Sequence, residues 1–489
     1  MKKKFLRIVS WILILSFTTG LSFGAFFLYK IYRLEKKITV SETNHSFLDA
    51  FKPLTDENFS NLKGISDGRI NVLLLGLPGK GKPGQNLTDT IMVASINTKT
   101  HQVALLSLPR DLYVEIPEEK VKLKINSAYQ YAINNSDDKN KTESAAKKVT
   151  GIINNITNLD IHYWAVLNFD GFTEAIDAVG GINITNERDL YDPRYPGPNY
   201  SYETFELKKG FHHLDGKTAL KYARERHNDP EGDFGRAKRQ QQVMQAAKNK
   251  IFSTGTMLNV FSINELLNVL GDNMLTNIAP SEWEGFLALI KKLDTDNINT
   301  VVVDAWKKDS LLKVSHVYFG SSRAFVLVPR IGNYSEIQEL SAQVFDLNLI
   351  KKRREEILKE ETKIAIINQS GVPNMTEKIN KLLVENFGYK NVTVLNRKDR
   401  EIIDATTAYD LTNGQKPFTL DELAKKLPSN VSYDFSAKEK ELLDEKETDI
   451  VVLVGKDLID TYDKEEISQE EFEKASEEED FNNYIKDNM

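Results

Sequence analysis

The chain has 489 residues, 28% of them Asp, Glu, Lys or Arg, and a formal net charge of -7 at pH 7. That length allows two or three domains with ample core, and the near balance of charge implies no general affinity for nucleic acid. There are no cysteines, which excludes thiolate metal sites, disulfides and cysteine nucleophiles.

Residues 1–7 form a basic tail with Lys2, Lys3, Lys4 and Arg7, and an uncharged run follows over 8–29. The run is long enough to cross a bilayer as a helix. A cleaved signal peptide is the competing reading. Its apolar core is usually shorter and ends at a small-x-small site, whereas this run ends in Phe26, Phe27, Leu28 and Tyr29. An uncleaved, single-pass anchor is expected, with a short tail inside and the bulk of the chain outside the cell. Lys30, Arg33, Lys36 and Lys37 match the positive charges before the span, so charge alone does not orient it. Residues 30–65 read as a polar stalk.

The globular pattern opens at Arg69–Gly76, a short apolar run that reads as a buried strand. Residues 76–82 satisfy G-x-x-x-x-G-K, but Pro83 stands where a P-loop needs Ser or Thr. A strand, Thr90–Ile96, follows instead of a helix, so a mobile Gly-rich lid is the better reading. Asp89 precedes that strand as a candidate metal ligand, or as a turn residue bonding its own backbone. A third strand, Gln102–Leu108, ends at Arg110, which projects into a cleft or pairs with Asp111. Lys122, Lys124 and Asn126 lead into a helix over Ser127–Asn134, and a second helix is expected over Ser144–Ile156. Ile161–Leu167 reads as a strand, Asp170–Val179 as a helix closed by Gly180 and Gly181, and Ile182–Thr185 as a strand. The alternation predicts a mixed α/β sheet with helices on its faces. Residues 186–210 are rich in Pro, Gly and Tyr and read as a loop over the cleft rim, with tyrosines that stack on sugars or simply pack.

The densest chemistry lies at Tyr222–Gln240. Arg224, Arg226, Arg236, Lys238 and Arg239 surround a turn carrying Asp229, Glu231 and Asp233. Guanidinium forks match phosphate oxygens and do not titrate away. Carboxylates among them can hold a divalent metal or accept a proton. Asp215 caps a short helix, Gly216–Ala223, that delivers the arginines. A helix over Phe234–Phe252 follows, with Arg236, Arg239 and Gln240 on its first turns, where the helix dipole favours anions. A pyrophosphate site is expected here, although a salt-bridged surface turn has the same composition.

Four segments, SLPRDLYV (107–114), NFDGFTEAIDAVGGINI (168–184), LDGKTALKYARERH (214–227) and GDFGRAKRQQQV (232–243), closely resemble the LytR-CpsA-Psr family of bacterial cell-envelope proteins. The resemblance covers about 66–350. It implies a membrane-anchored extracellular α/β domain with a polyprenyl chain in an apolar tunnel and its pyrophosphate at the mouth with Mg2+. Family members transfer a glycopolymer phosphate, such as teichoic acid or capsule, from that carrier to peptidoglycan. By matching motif, Arg110, Arg224, Arg226, Arg236 and Gln240 would contact the pyrophosphate, with Lys124 near a basic position of the family. Asp89 would ligate Mg2+, and Asp233 and Arg226 would be catalytic, Asp233 as the candidate base. Pro78 stands where the family usually has Asp, and Leu87 where it usually has Arg. The alternative reading is a non-enzymatic receptor or regulator that binds polyprenyl pyrophosphates. No nucleic-acid partner is expected.

Further on, Ile263–Leu270 and Ser281–Leu293 read as helices, and Thr300–Ala305 and Ala324–Pro329 as strands. Residues 351–361 read as a linker. Lys363–Asn368, Met375–Asn386, Val392–Leu395 and Asp449–Gly455 imply a second, smaller α/β domain. It spans 362–458 and resembles the LytR-type C-terminal domain. An acidic tail, 459–489, is expected to be disordered.

Overall fold

The computed structural model describes residues 61–117, 119–197, 201–225, 232–251, 273–305, 310–319, 322–395, 401–427, 429–435 and 447–462, with Val269 and Leu443 besides. The expected anchor over 8–29, most of the stalk, Arg226 and most of the acidic tail lie outside them, as does the helix expected over 263–270 apart from Val269. Among the described residues no helix is long and apolar enough to cross a membrane. The chain divides into two compact units, one built mainly from the residues up to Val302 and the other mainly from Val303 onward.

The first unit is built on a six-stranded mixed sheet. Its strands are β1 (Arg69–Leu77), β2 (Thr90–Asn97), β3 (Gln102–Ser107), β6 (Tyr163–Asn168), β11 (Met274–Thr276) and β12 (Asp294–Val302), in the order β11-β6-β1-β2-β3-β12. Strands β1, β2 and β3 are antiparallel neighbours, while β6 runs parallel to β1 and β12 parallel to β3. Alternate residues of these strands point to opposite faces. Ile70 and Val72 pack in a cluster with Tyr163, Phe286 and Leu289. Their neighbours Leu73, Leu75, Val93 and Leu106 are also buried. Both faces are covered, so the strands read as nearly continuous apolar runs rather than alternating ones.

Between β3 and β6 lie the short pair β4 (Tyr113–Ile116) and β5 (Val121–Lys124), then helices α1 (Ile125–Asn135) and α2 (Lys141–Thr157). After β6 come α3 (Phe169–Ala178), β7 (Ile182–Asn186), β8 (Leu190–Pro196), β9 (Tyr202–Leu207), β10 (Gly210–Leu214), α4 (Gly216–Arg224) and α5 (Gly232–Ile251). Helix α3 ends as its glycine pair predicts. Gly180 and Gly181 have φ of 78° and 80°, and the Gly181 N–H donates to the Ile176 carbonyl at 2.9 Å. The stretch 186–210 corrects the sequence reading, because most of it is the β8–β9 hairpin. Pro193, Pro196 and an irregular register hide its period of two. The last strand of the sheet also starts earlier than expected, at Asp294 rather than Thr300. Helix α6 (Trp283–Lys292) contributes Phe286 and Leu289 to the cluster named above.

The second unit holds the hairpin β13 (Leu312–Phe319) and β14 (Ser322–Pro329), of which the sequence reading had only the second strand. Helices α7 (Ser335–Ala342) and α8 (Asn348–Lys359) follow. A five-stranded sheet then forms in the order β16-β15-β19-β17-β18, from β15 (Lys363–Asn368), β16 (Asn391–Leu395), β17 (Thr407–Asp410), β18 (Asn430–Ser432) and β19 (Ile450–Val454). Helices α9 (Met375–Lys381) and α10 (Pro417–Lys426) add Ile379, Leu420 and Leu423 to its core. Glu422, 1% exposed, is held in that core by Lys426 at 2.9 Å, Arg354 at 3.3 Å and the Tyr389 hydroxyl at 2.5 Å.

One close approach in the first unit is decided by a missing side chain. A Cβ at Gly216 would lie 2.0 Å from the Thr173 carbonyl oxygen, so α4 can pack on α3 only with glycine there. Gly216→Ala is expected to destabilise the first unit by about 3 kcal/mol, the upper range for overpacking a close contact, read as a lower midpoint in urea unfolding.

Candidate active site

The register of the sheet sets the first pair of charges. Across β2 and β3, Met92 faces Ser107 and Val93 faces Leu106. The same register carried past the strand ends sets Asp89 opposite Arg110, and there an Arg110 Nη1 donates to Asp89 Oδ1 at 2.9 Å. The start of α1 clamps both segments. The Thr88 N–H donates to the Asn126 carbonyl at 2.9 Å, and the Asn126 N–H donates to the Arg110 carbonyl at 3.2 Å.

Strand β6 runs parallel to β1, so its C-terminal end reaches the same edge of the sheet, where Phe169 opens α3. Arg224, in the last turn of α4, holds its guanidinium 4.6 Å from the centroid of the Phe169 ring. That distance is a cation–π contact. No carboxylate among the described residues pairs with Arg224. Helix α4 is N-capped by Asp215, whose Oδ1 accepts the Thr218 N–H at 2.8 Å. Arg236 and Gln240 lie one turn apart on α5. Together these groups line a cavity of about 150 Å3, with Asp89, Arg110, Phe169, Arg224, Arg236 and Gln240 in its wall. Three guanidinium groups thus face one carboxylate across a small volume, an arrangement that suits an oxyanion.

Five residues singled out from the sequence therefore meet: Asp89, Arg110, Arg224, Arg236 and Gln240. Asp233 is the second residue of α5, and its side chain lies outside the described atoms. Lys124 is half-buried at the junction of β5 and α1 and is not part of this wall. Arg239, also expected to contact the pyrophosphate, is not part of this wall. It is 7% exposed, donates through Nε to the Tyr222 carbonyl at 3.0 Å, and bonds the Glu225 carbonyl through an Nη2. It therefore ties off the C-terminal end of α4. The reason is helical geometry. Positions 236 and 240 share a face of α5, whereas 239 is turned about 100° from 240.

Four further wall residues, Thr90, Phe169, Tyr195 and Pro196, were not singled out from the sequence as pyrophosphate ligands. Phe169 stood inside a recognised motif. Tyr195 belongs to the stretch taken for a loop, and a register shift in β8 is what brings it inward. Asp192 faces Phe205 but Tyr195 faces Glu203, so one extra residue stands in β8. Leu190 and Asp192 are buried, Pro193 and Arg194 are both exposed, and Tyr195 is buried again. Such bulges re-aim side chains.

The described residues fit a resident Mg2+ poorly. Asp89 is already engaged by a guanidinium, and a hard cation asks for several oxygen ligands. Among the described residues no group of three His, Asp or Glu could hold a metal ion. The Gly-rich loop after β1 brings further positive charge near this edge, where Lys82 pairs with Asp170 beside Phe169 at 2.5 Å. A second cavity, of about 250 Å3, has Leu105, Ile298, Tyr222, Gln241 and Arg239 among its wall residues, so its lining is mixed rather than apolar.

The LytR_cpsA_psr family profile matches residues 32–326. A Bacillus anthracis protein named polyisoprenyl-teichoic acid–peptidoglycan teichoic acid transferase TagU is 30% identical over 230 residues, 46% of this chain and 66% of that one. A Staphylococcus aureus protein named regulatory protein MsrR is 38% identical over 197 residues, 40% of this chain and 53% of that one. The chain thus spans less than two thirds of the length of either relative. Among solved structures, Bacillus subtilis TagV aligns at 24% identity and a TM-score of 0.43, over 57% of this chain and 97% of that one.

The Asp215 cap makes the delivery of Arg224 testable. Hydrogen bonds from Thr218, by its side chain and then its backbone, hold the Asp215 carboxyl below its ordinary range. A folded-state value lowered in this way stabilises above the unfolded value, and the gain is lost as pH falls through the folded one. Asp215→Ala is expected to cost about 1 kcal/mol at neutral pH. That difference from the native chain should vanish in strongly acidic buffer, as followed by denaturant unfolding at several pH values.

Proposed function

The chain belongs to the LytR-CpsA-Psr family, and on that premise we propose that it is a membrane-anchored phosphotransferase. It moves a glycopolymer phosphate from a polyprenyl-diphosphate carrier to a sugar hydroxyl of peptidoglycan or another envelope polymer. The observation that carries the reading is the cavity in which Arg110, Arg224 and Arg236 converge from three separate segments on one small volume. Phosphoryl transfer asks a protein chiefly for positioning and for charge on the moving oxygens, which guanidinium groups supply. The TagU relative is named for this transfer.

In the proposed reaction the acceptor hydroxyl oxygen attacks the phosphorus that bears the glycan. The bond from that phosphorus to the bridging oxygen breaks, and polyprenyl phosphate leaves. Asp233 takes the hydroxyl proton, and Arg226 is the second residue that the matching motif offers as catalytic. Arg110, Arg224, Arg236 and Gln240 hold the non-bridging oxygens, and the Asp89–Arg110 pair keeps Arg110 aimed at them. Mg2+, which the family implies, enters the proposal only as an ion accompanying the donor's own oxygens, and no step runs through it. The run over 8–29 is proposed as the anchor that keeps the site outside the cell and near a lipid-linked donor. The unit at 362–458 is proposed to be a LytR-type binding or scaffolding domain.

A second reading, a polyprenyl-diphosphate receptor without turnover, draws on the name of the MsrR relative and on Pro78 and Leu87. The full chain in detergent, given a lipid-diphosphate glycan, Mg2+ and peptidoglycan, separates the two. Release of polyprenyl phosphate is expected. Arg224→Ala and Arg236→Ala should each slow it by about 100-fold or more, the scale for losing one preorganised charge donor. Tight binding of the lipid with no release would favour the receptor. Mg2+ alone is expected to leave the thermal midpoint of the ligand-free chain unchanged, since among the described residues no carboxylate group could hold it and an unbound ion confers no stabilisation.

A further inference from the structure

We propose that the Tyr195 hydroxyl is a direct hydrogen-bond donor to the anion in the arginine cavity, contacting a non-bridging oxygen of the diphosphate. The proposal rests on the reading just given and adds a residue to it.

Parity is the first observation. With a regular register Tyr195 would share the exposed face with Tyr191, which is 53% exposed. The bulge at Pro193 and Arg194 reverses this, and Tyr195 is 3% exposed in the cavity wall. Asp192 Oδ1 accepts the Arg194 N–H at 2.8 Å, which holds the bulge in shape. The ring packs on Phe205 with centroids 5.6 Å apart, and the Lys221 ammonium lies 5.8 Å from its centroid.

The second observation is the hydroxyl itself. It is buried beside the Arg224 guanidinium, and its proton has no acceptor among the described residues. Other buried tyrosines do find one. Tyr222 donates to Gln242 at 2.6 Å, Tyr163 to Glu282 at 2.6 Å and Tyr389 to Glu422 at 2.5 Å. A buried hydroxyl without an acceptor costs stability that a fold normally avoids. Burial pushes the Tyr195 pKa up to about 12 against the pull of Arg224, so the proton stays in place at neutral pH. Arg224 only donates, and the cavity that Tyr195 lines holds Arg110, Arg224 and Arg236 against one wall carboxylate, Asp89, with Glu225 and Glu203 also near the hydroxyl, so the partner that the three guanidinium groups would draw in is an acceptor. A neutral donor adds a bond to such a ligand without adding a fourth positive charge.

Tyr195→Phe in the full chain, in detergent, tests this with geranylgeranyl diphosphate as the probe. The expected result is about tenfold weaker binding, as for a lost hydrogen bond to a charged acceptor. The ligand-free thermal midpoint should be unchanged or higher, because the ring is kept and a buried polar group is removed. Unaltered affinity would overturn the proposal while leaving the transferase reading intact, provided Arg224→Ala still weakens binding. A lowered ligand-free midpoint with weaker binding would also overturn it, by showing a structural role. No binding by the native chain would sink both.

Discussion

Three guanidinium groups crowded around one small cavity repel one another. Two unit charges about 6 Å apart cost roughly 3 kcal/mol at an effective dielectric constant of about 20. The fold supports each one differently. Arg110 is aimed by a cross-strand carboxylate, Arg224 by an aromatic face at 4.6 Å, and Arg236 by the helix that carries it. Asp89 offsets part of that repulsion at Arg110, and an oxyanion in the cavity would offset more.

The sheet places that site. Asp89 enters β2, Arg110 leaves β3 and Phe169 follows β6, all at the edge where β1, β3 and β6 end. Ligand sites in open α/β sheets tend to lie outside the carboxyl ends of the strands. The helices add what the sheet edge lacks. Glycine at 216 lets α4 lie against α3, which brings the end of α4 onto Phe169. The first turns of α5 then add a cation where backbone N–H groups also face outward. The second unit has a core of its own and a buried charge network centred on Glu422.

Much of the site was legible from residue order, because the motifs carrying Arg110, Arg224, Arg236 and Gln240 are short and local. Asp89 was legible as a candidate, although its pairing with Arg110 was not. Arg239 shows where local reading stops. It stands one residue from Gln240, yet helical rotation turns it to the carbonyls that end α4. Tyr195 shows the opposite failure. Its segment looks irregular, with two prolines and a broken alternation, and only pairing with β9 reveals that the break is a bulge. The hairpin of β13 and β14 was half seen for a related reason, since partner identity rather than pattern defines a strand.

By itself the sequence determined the mixed α/β class, the alternation of strands and helices through the first unit, and an arginine-rich segment with the composition of an anion site. These follow from hydrophobic period, from glycine and capping residues, and from guanidinium chemistry, all of which act over a few neighbouring residues. Tertiary structure alone decided which cations share a cavity, which one serves as a helix cap, and which tyrosine turns inward. Those outcomes depend on strand register and helix packing, where one added residue reverses a side chain and one added methyl separates two helices.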